Sequence, residues 1–217
     1  MSEIVMREIL SRSDPSLPEV VNLYVASFPE NEREDPSFLQ RSLDPLSLSS
    51  PGKIGTAHLL VIEREGWPFG FAFCSFLPTA QMGFHAYIAL APTERGKGFG
   101  RRLLVCAEER MRLDALFLGL PYRGSICEVE RIEDAKDETD RRTRIRRVHF
   151  YERLGSRVIS TTYTQPALSP DKDPVPMYLM WREAEGGLSR QEIIQKFYSE
   201  VYGLPEGHPY VIGALQG

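Results

Sequence analysis

Cysteine is scarce in this 217-residue chain, with only Cys74, Cys106 and Cys127. Three is an odd number, and all three sit in apolar stretches, which argues against a disulfide framework. They read instead as reduced, buried thiols of a cytoplasmic protein. Histidine is equally sparse, at four residues. No Cys/His grouping has metal-ligand spacing, so no metal is expected. No run of eighteen apolar residues occurs, so no membrane span is expected. The opening MSEIVMREIL lacks a basic stretch followed by an apolar one, so it does not read as a signal peptide. Positive charge is not in excess either: 26 Lys and Arg stand against 30 Asp and Glu, a net charge of −4. No basic face recommends nucleic acid as a partner. No internal repeat is visible.

What is present is an ordinary globular composition, 42% hydrophobic and 26% charged, long enough for one domain with a sizeable core. The chain is organised around residues 83–111. His85 to Leu90 is short and apolar, as in a buried strand. Arg95-Gly96-Lys97-Gly98-Phe99-Gly100 follows, with three glycines in five positions. Leu103, Leu104, Ala107 and Met111 then recur at helical spacing, with Arg102, Glu108, Glu109 and Arg112 largely on the other side. The order is strand, glycine loop, helix. A helix begins with unpartnered N–H groups and the positive end of its dipole. Glycines before it permit positive φ and close approach of an anion. The combination cradles phosphate, and Arg95, Lys97 and Arg101 add mobile positive charge. On spacing alone a plain tight turn is the alternative.

Two familiar phosphate loops do not fit. A Walker loop needs Ser or Thr after Gly-Lys, and Gly98 follows Gly96-Lys97. A dinucleotide fingerprint needs a third glycine three positions after its second, where this chain has Arg101. A third pattern does fit. Arg95-x-x-Gly98-x-Gly100, entered through Leu90-Ala91-Pro92, resembles the Arg/Gln-x-x-Gly-x-Gly/Ala signature of the GNAT superfamily of acyl-CoA-dependent N-acyltransferases. About fifty residues on, Phe150-Tyr151-Glu152-Arg153-Leu154-Gly155 resembles that family's Phe-Tyr-x-x-x-Gly. The resemblance covers roughly residues 57–182. It implies an α/β fold of α+β type: a central, mixed but mostly antiparallel seven-stranded sheet flanked by helices, here with an added C-terminal helix. It also implies N-acetyl transfer from acetyl-CoA to a primary amine, by direct attack through a tetrahedral intermediate.

In chain order, residues 4–11 suit an opening strand, and Pro18–Phe28 a helix with Val20, Leu23, Tyr24 and Phe28 on one face. Phe28-Pro29-Glu30-Asn31-Glu32-Arg33 breaks it, and a second helix is expected over Pro36–Leu43. By resemblance, residues 1–50 hold the first strand and two helices that flank the acceptor. Leu46–Thr56 reads as a loop. Ala57–Ile62 and Phe69–Leu77 read as a hairpin, 85–90 as the next strand and Ser125–Glu130 as the fifth. The charged segment 131–147 reads as a mobile acidic loop leading into a helix over Thr143–Leu154, capped by Gly155. Arg144 or Arg147 touching coenzyme A phosphate is the alternative role there. Arg157–Thr164 and Met177–Trp181 close the sheet around Gln165–Pro176. Ser189 can cap a last helix with Ile193, Ile194, Phe197 and Val201 in a stripe. Residues 187–217 form this helix and a tail, packed on the single domain, with a homodimer contact as the lesser alternative.

The resemblance also assigns roles. Two strands splay apart so that pantetheine inserts beside exposed backbone, which implies contacts at Ala89, Leu90 and Ala91. The pyrophosphate would lie on Arg95, Gly96, Lys97, Gly98, Phe99, Gly100 and Arg101. Tyr151 aligns with the family's general acid. A phenol with a pKa of about 10 can protonate a thiolate near 8.5 at modest cost. Cys127-Glu128-Val129 resembles the Leu-Glu-Val of enzymes acetylating ribosomal-protein N-termini, which makes Glu128 the candidate base, with Glu130 its rival. A glutamate near 4.3 facing an ammonium near 10.4 is mismatched by about six units, so it needs burial, a water relay or a less basic acceptor. Histidine as a residue type suits a base near neutral pH, but His85 sits one residue out of phase with family bases at Phe84 and Ala86, and is expected to point away unless a bulge shifts it. An inactive acyl-CoA sensor, a longer acyl donor and a protein amine acceptor stay open as alternatives.

Overall fold

The computed structural model describes residues 3–43 and 56–217. The loop expected at Leu46–Thr56 falls outside them except for Thr56, which opens a strand. The sheet is built from β1 (Ile4–Glu8), β2 (Thr56–Arg64), β3 (Trp67–Leu77), β4 (Met82–Leu90), β5 (Gly124–Glu130), β6 (Arg157–Gln165) and β7 (Val175–Glu183). Its seven strands run in the order β1-β2-β3-β4-β5-β7-β6, and every neighbouring pair is antiparallel except β4 and β5. That one parallel pair requires a crossover, supplied by α3 (Phe99–Phe117).

The helices divide between the two faces. On one, α1 (Leu17–Ser27) and α2 (Ser37–Arg41) bury Val20, Tyr24 and Leu39 against Leu59, Phe71, Phe73 and Tyr87. Arg7 on β1 fixes the entry to α1, pairing with Asp14 at 2.6 Å and Glu63 at 2.8 Å. The same face carries α5 (Arg190–Tyr202) and α6 (Pro209–Leu215). Ser189 and Glu192 form a reciprocal capping box at the start of α5, satisfying two of its orphan donors. Ile193, Ile194, Phe197 and Tyr198 are then buried on Phe84, Ile126, Tyr163 and Trp181. At about 1.5–3 kcal/mol per fully buried large side chain, that stripe holds α5 firmly on the domain. On the opposite face α3 and α4 (Glu138–Glu152) pack on Ala72, Cys74, Phe76, Cys127, Val129 and Met180.

Two elements differ from the sequence reading. The fourth helix begins at Glu138, not Thr143: Asp137 caps it by accepting the Asp140 N–H at 2.9 Å. The segment read as a mobile loop is therefore helical from Glu138 onward. The helix α6 has no counterpart in the sequence reading. His208 caps it through its ring nitrogen and Pro209 stands in its first turn, where a missing N–H costs nothing. Among the described residues no helix is long and apolar enough to cross a membrane.

Candidate active site

The parallel pair is the opening around which the site is built. β4 and β5 pair only from Gly83 to His85, against Ser125 to Cys127. Beyond that point β4 continues to Leu90 beside β3, and β5 to Glu130 beside β7, with no pairing between them. Their edges therefore diverge, leaving backbone groups on Ala86–Leu90 and Glu128–Glu130 facing a gap. A bulge accompanies the divergence. Phe73 opposes Tyr87 and Cys74 opposes His85, so Ala86 is the extra residue, and an extra residue bends a strand and re-aims its side chains. Ala86 and Tyr87 consequently both pack on the α1/α5 face.

The glycine loop lies at the open end of the gap. Gly96 and Gly98 take φ of +78° and +86°, and a Cβ at either would meet nothing within 4 Å. Those are the positions where only glycine is unstrained, and they leave an open cradle. Gly98 is the N-cap of α3, and no side chain caps the helix. The first helical bond runs from the Arg102 N–H to the Gly98 carbonyl, so the N–H groups of Phe99, Gly100 and Arg101 have no helical partner. This is the geometry that suits an anion. The loop cations are less mobile than the sequence suggests. Arg95 donates to the Leu90 carbonyl at 3.2 Å, and Lys97 pairs with Glu94 at 3.3 Å. Arg64 forks onto Glu94 at 2.9 and 2.8 Å and holds its carboxyl down to about 2. Arg101 is exposed, whereas the Phe99 ring is buried against Phe69 at 5.0 Å. Phe99 therefore offers a ligand its backbone only.

Tyr151 and Glu128 lie on opposite faces of the sheet. Tyr151 packs with Cys127 and Val129 of β5 and Ile88 of β4, the two diverging strands. Its hydroxyl makes no hydrogen bond among the described residues, and burial pushes its pKa well above 10. Glu128 points to the α5 face. It accepts hydrogen bonds from the hydroxyls of Tyr163 and Tyr202, the latter at 2.6 Å, and from Gln165 Nε2 at 3.1 Å. Burial raises its pKa and the three donors oppose that rise. A cavity of about 250 Å³ opens beside it, walled by Phe38, Phe73, Phe84 and Tyr87 and bearing Glu34, Glu128 and Gln165. Glu34 and Gln165 were not singled out from the sequence. The Phe28–Arg33 string marked the region of Glu34, but nothing local signals that β6 carries Gln165 to β5.

The remaining candidates are placed elsewhere or otherwise engaged. His85 faces α3, with its Nε2 3.0 Å from Glu108, as its phase on the strand suggested. Burial pushes the Glu108 carboxyl up, but His85, Ser125 and Tyr122 reverse this and bring it to about 2. The group is a satisfied buried network away from the cavity. Glu130 is paired with Arg147. Arg144, offered as a phosphate contact, is buried and donates to the Arg131 carbonyl at 2.7 Å and to Asp140 at 3.1 Å. It fastens the start of α4 instead. Burial lowers the pKa of Arg147, which remains close enough to Arg95 and Glu32 to sense both.

Residues 55–155, which hold the diverging strands, the glycine loop and Tyr151, match the family model of the acetyltransferase (GNAT) domain. Over this stretch the chain is similar to the GNAT acetyltransferase family. Its members use acetyl-CoA. Among solved structures, an acetyltransferase assigned to the GNAT family from Bacteroides thetaiotaomicron is 26% identical. The alignment covers 92% of this chain and 99% of that one, with a TM-score of 0.62. Two more distant structures share the fold. PaiA N-acetyltransferase from Thermoplasma acidophilum, in complex with coenzyme A, is 17% identical over 84% of this chain and 99% of its own, with a TM-score of 0.52. Ribosomal-protein-alanine N-acetyltransferase from Brucella melitensis is 18% identical over 83% and 99%, with a TM-score of 0.55. No curated protein matches the sequence.

Proposed function

We propose that this protein transfers an acetyl group from acetyl-CoA directly to a primary amine, with Glu128 as base and Tyr151 as acid. The observation that carries the reading is the divergence of β4 from β5 beyond His85 and Cys127, with an uncapped helix start at its mouth. The N–H groups of Phe99, Gly100 and Arg101 hold the pyrophosphate, and Gly96 and Gly98 let the backbone approach it. Of the three strand-end positions expected to contact the pantetheine arm, Leu90 turns its backbone to the gap and would bond the arm as a neighbouring strand would, whereas the Ala91 N–H is taken by the Phe69 carbonyl at 2.8 Å and Ala89, opposite Phe71, also faces β3. Acetyl-CoA, once bound, supplies the acetyl group as a reactive thioester.

The chain's own residues handle the protons. Glu128 takes a proton from the attacking amine as the N–C bond forms. Its burial narrows the mismatch with an ammonium, because desolvation disfavours the charged carboxylate. Tyr151 gives a proton to the departing sulfur as the C–S bond breaks. Burial keeps this phenol protonated and its hydroxyl has no competing acceptor among the described residues. The two residues reach the gap from opposite faces, so donor and acceptor enter without crossing.

A thermal melt with and without saturating acetyl-CoA, with AMP as control, tests the reading. Ligand at a hundred times its Kd adds about 2.7 kcal/mol, a rise of roughly 5–11 °C for a chain of this size. Thiol release on adding amines should follow. A melt unmoved by millimolar acetyl-CoA would overturn the proposal.

A further inference from the structure

The cavity beside Glu128 holds more acceptor groups than the proposed chemistry uses. Its volume of about 250 Å³ falls below the range of roughly 300–1,000 Å³ usual for drug-sized ligands, so it suits a small molecule. Glu34 stands on its wall, where burial raises its pKa and the charges of Lys172 and Arg41 act on it from a distance to oppose that rise. Its backbone is fixed, since its carbonyl accepts from Tyr24 and its N–H donates to Tyr87, both at 3.2 Å. Its carboxylate, by contrast, makes no hydrogen bond or ion pair among the described residues. Lys172 on the neighbouring loop is held instead by the Arg33 carbonyl at 2.6 Å.

A second observation is independent of the carboxylates. Gln165 is 4% exposed, and its Nε2 is used on Glu128, but its Oε1 is buried with no partner among the described residues. Orphaned buried acceptors are rare and call for a donor. Glu34 and Gln165 Oε1 have acceptor capacity left for N–H groups, and Glu34 adds negative charge to that of the already hydrogen-bonded Glu128. The space among them is of mixed polarity, with the rings of Phe38, Phe73 and Phe84 as its apolar wall.

Building on the acetyltransferase reading, we propose that the acceptor is a small dication, a diamine whose amines are joined by a short apolar chain. One amine is acetylated at Glu128. The other stays charged, held by Glu34, while N–H groups of the ligand satisfy Gln165 Oε1. The alkyl chain lies on the three phenylalanines. Glu34 is then a specificity residue, setting how well a second charge is received.

The test uses the full chain and acetyl-CoA, with diaminobutane and diaminohexane compared against butylamine and hexylamine by thiol release. The diamines should exceed equal-length monoamines in kcat/KM by about tenfold or more, the scale of one desolvated charge pair. Glu34→Gln should collapse that ratio towards one, and Glu34→Asp should restore part of it. A wild-type ratio near one, or a ratio that Glu34→Gln leaves unmoved, overturns the inference whether or not a variant folds poorly. If no amine is turned over although acetyl-CoA stabilises the protein, the melt decides. A further rise with diamines and not monoamines supports the dication, and no rise overturns it. A protein that acetyl-CoA does not stabilise fails the acetyltransferase reading itself, which is a separate result.

Discussion

Replacing Glu128 by Gln removes one negative charge from the acceptor face and keeps the side chain's shape. The hydroxyls of Tyr163 and Tyr202 can donate to the new amide oxygen as they did to the carboxylate. Gln165 Nε2 loses its acceptor, but rotating the Gln165 amide turns its orphaned Oε1 towards the new N–H donors. The rotation leaves Gln165 Nε2 in the place Oε1 held, so one neutral hydrogen bond, about 0.5–1.5 kcal/mol, replaces one to a charged group, about 1.5–3 kcal/mol, a loss of about 1 kcal/mol. Removal of the buried charge offsets it. Because the folded pKa of Glu128 is raised, its contribution is fully present below the unfolded value and lost as pH rises through the folded one. The variant should therefore equal or exceed wild type in Tm at pH 7, and lose that margin near pH 4. Activity should move the other way. Removing a general base costs about 10²–10⁴ in rate, or roughly 3–5 kcal/mol of barrier. Paired Tm and kcat/KM profiles against pH would measure both. A variant within threefold of wild-type kcat/KM would refute the base role, and a Tm several degrees lower at pH 7 would refute the hydrogen-bond argument.

Three further outcomes are expected. Tyr151→Phe should lower kcat by about 10²-fold or more and leave the acetyl-CoA melt shift nearly intact; unchanged turnover would remove Tyr151 from the chemistry. Gly98→Ala places a side chain at φ +86° in open space, so its cost is conformational, about 1–2 kcal/mol or roughly 2–8 °C. Its KM for acetyl-CoA should rise well beyond that of Gly66→Ala, a change at another open, positive-φ turn. His58 sits between Glu8 at 2.6 Å and Asp114 at 2.7 Å; burial opposes its charge, but the two carboxylates raise its pKa to about 9. This stability is present below pH 6.5 and lost as pH rises through 9, about 3 kcal/mol in all. The Tm advantage of wild type over His58→Gln should shrink by roughly 6–12 °C across that interval.

Much of the sheet was legible because its strands are apolar on both faces or alternate cleanly, and the glycine loop announced itself through Gly96, Gly98 and Gly100. The central helix was legible from Leu103, Leu104, Ala107 and Met111, all of which are buried. The start of α4 was not. Its first turn is charged all round, so hydrophobic periodicity is silent there, and the cap at Asp137 was the one local signal. The bulge at Ala86 was equally hidden, since it is a relation between strands and leaves no mark on either sequence. For the cavity, the neighbourhood of Glu34 could be guessed, but its meeting with Gln165 depends on β7 lying between β5 and β6. Long-range topology of that kind is not encoded in any one stretch.

The short seam between β4 and β5 has a consequence for solvent exchange. The sheet pairing that joins the first four strands to the last three runs over Gly83–His85 alone, so amides lining the gap beyond it have no partner across the sheet. Hydrogen–deuterium exchange should therefore be fast at the gap-facing amides of Ala86–Leu90 and Glu128–Glu130, and slow at neighbours bonded to β3 or β7. A donor lying in the gap as a surrogate strand would slow the first set and leave the second unchanged. The result would be an alternating pattern along one strand that outlines the ligand's path residue by residue.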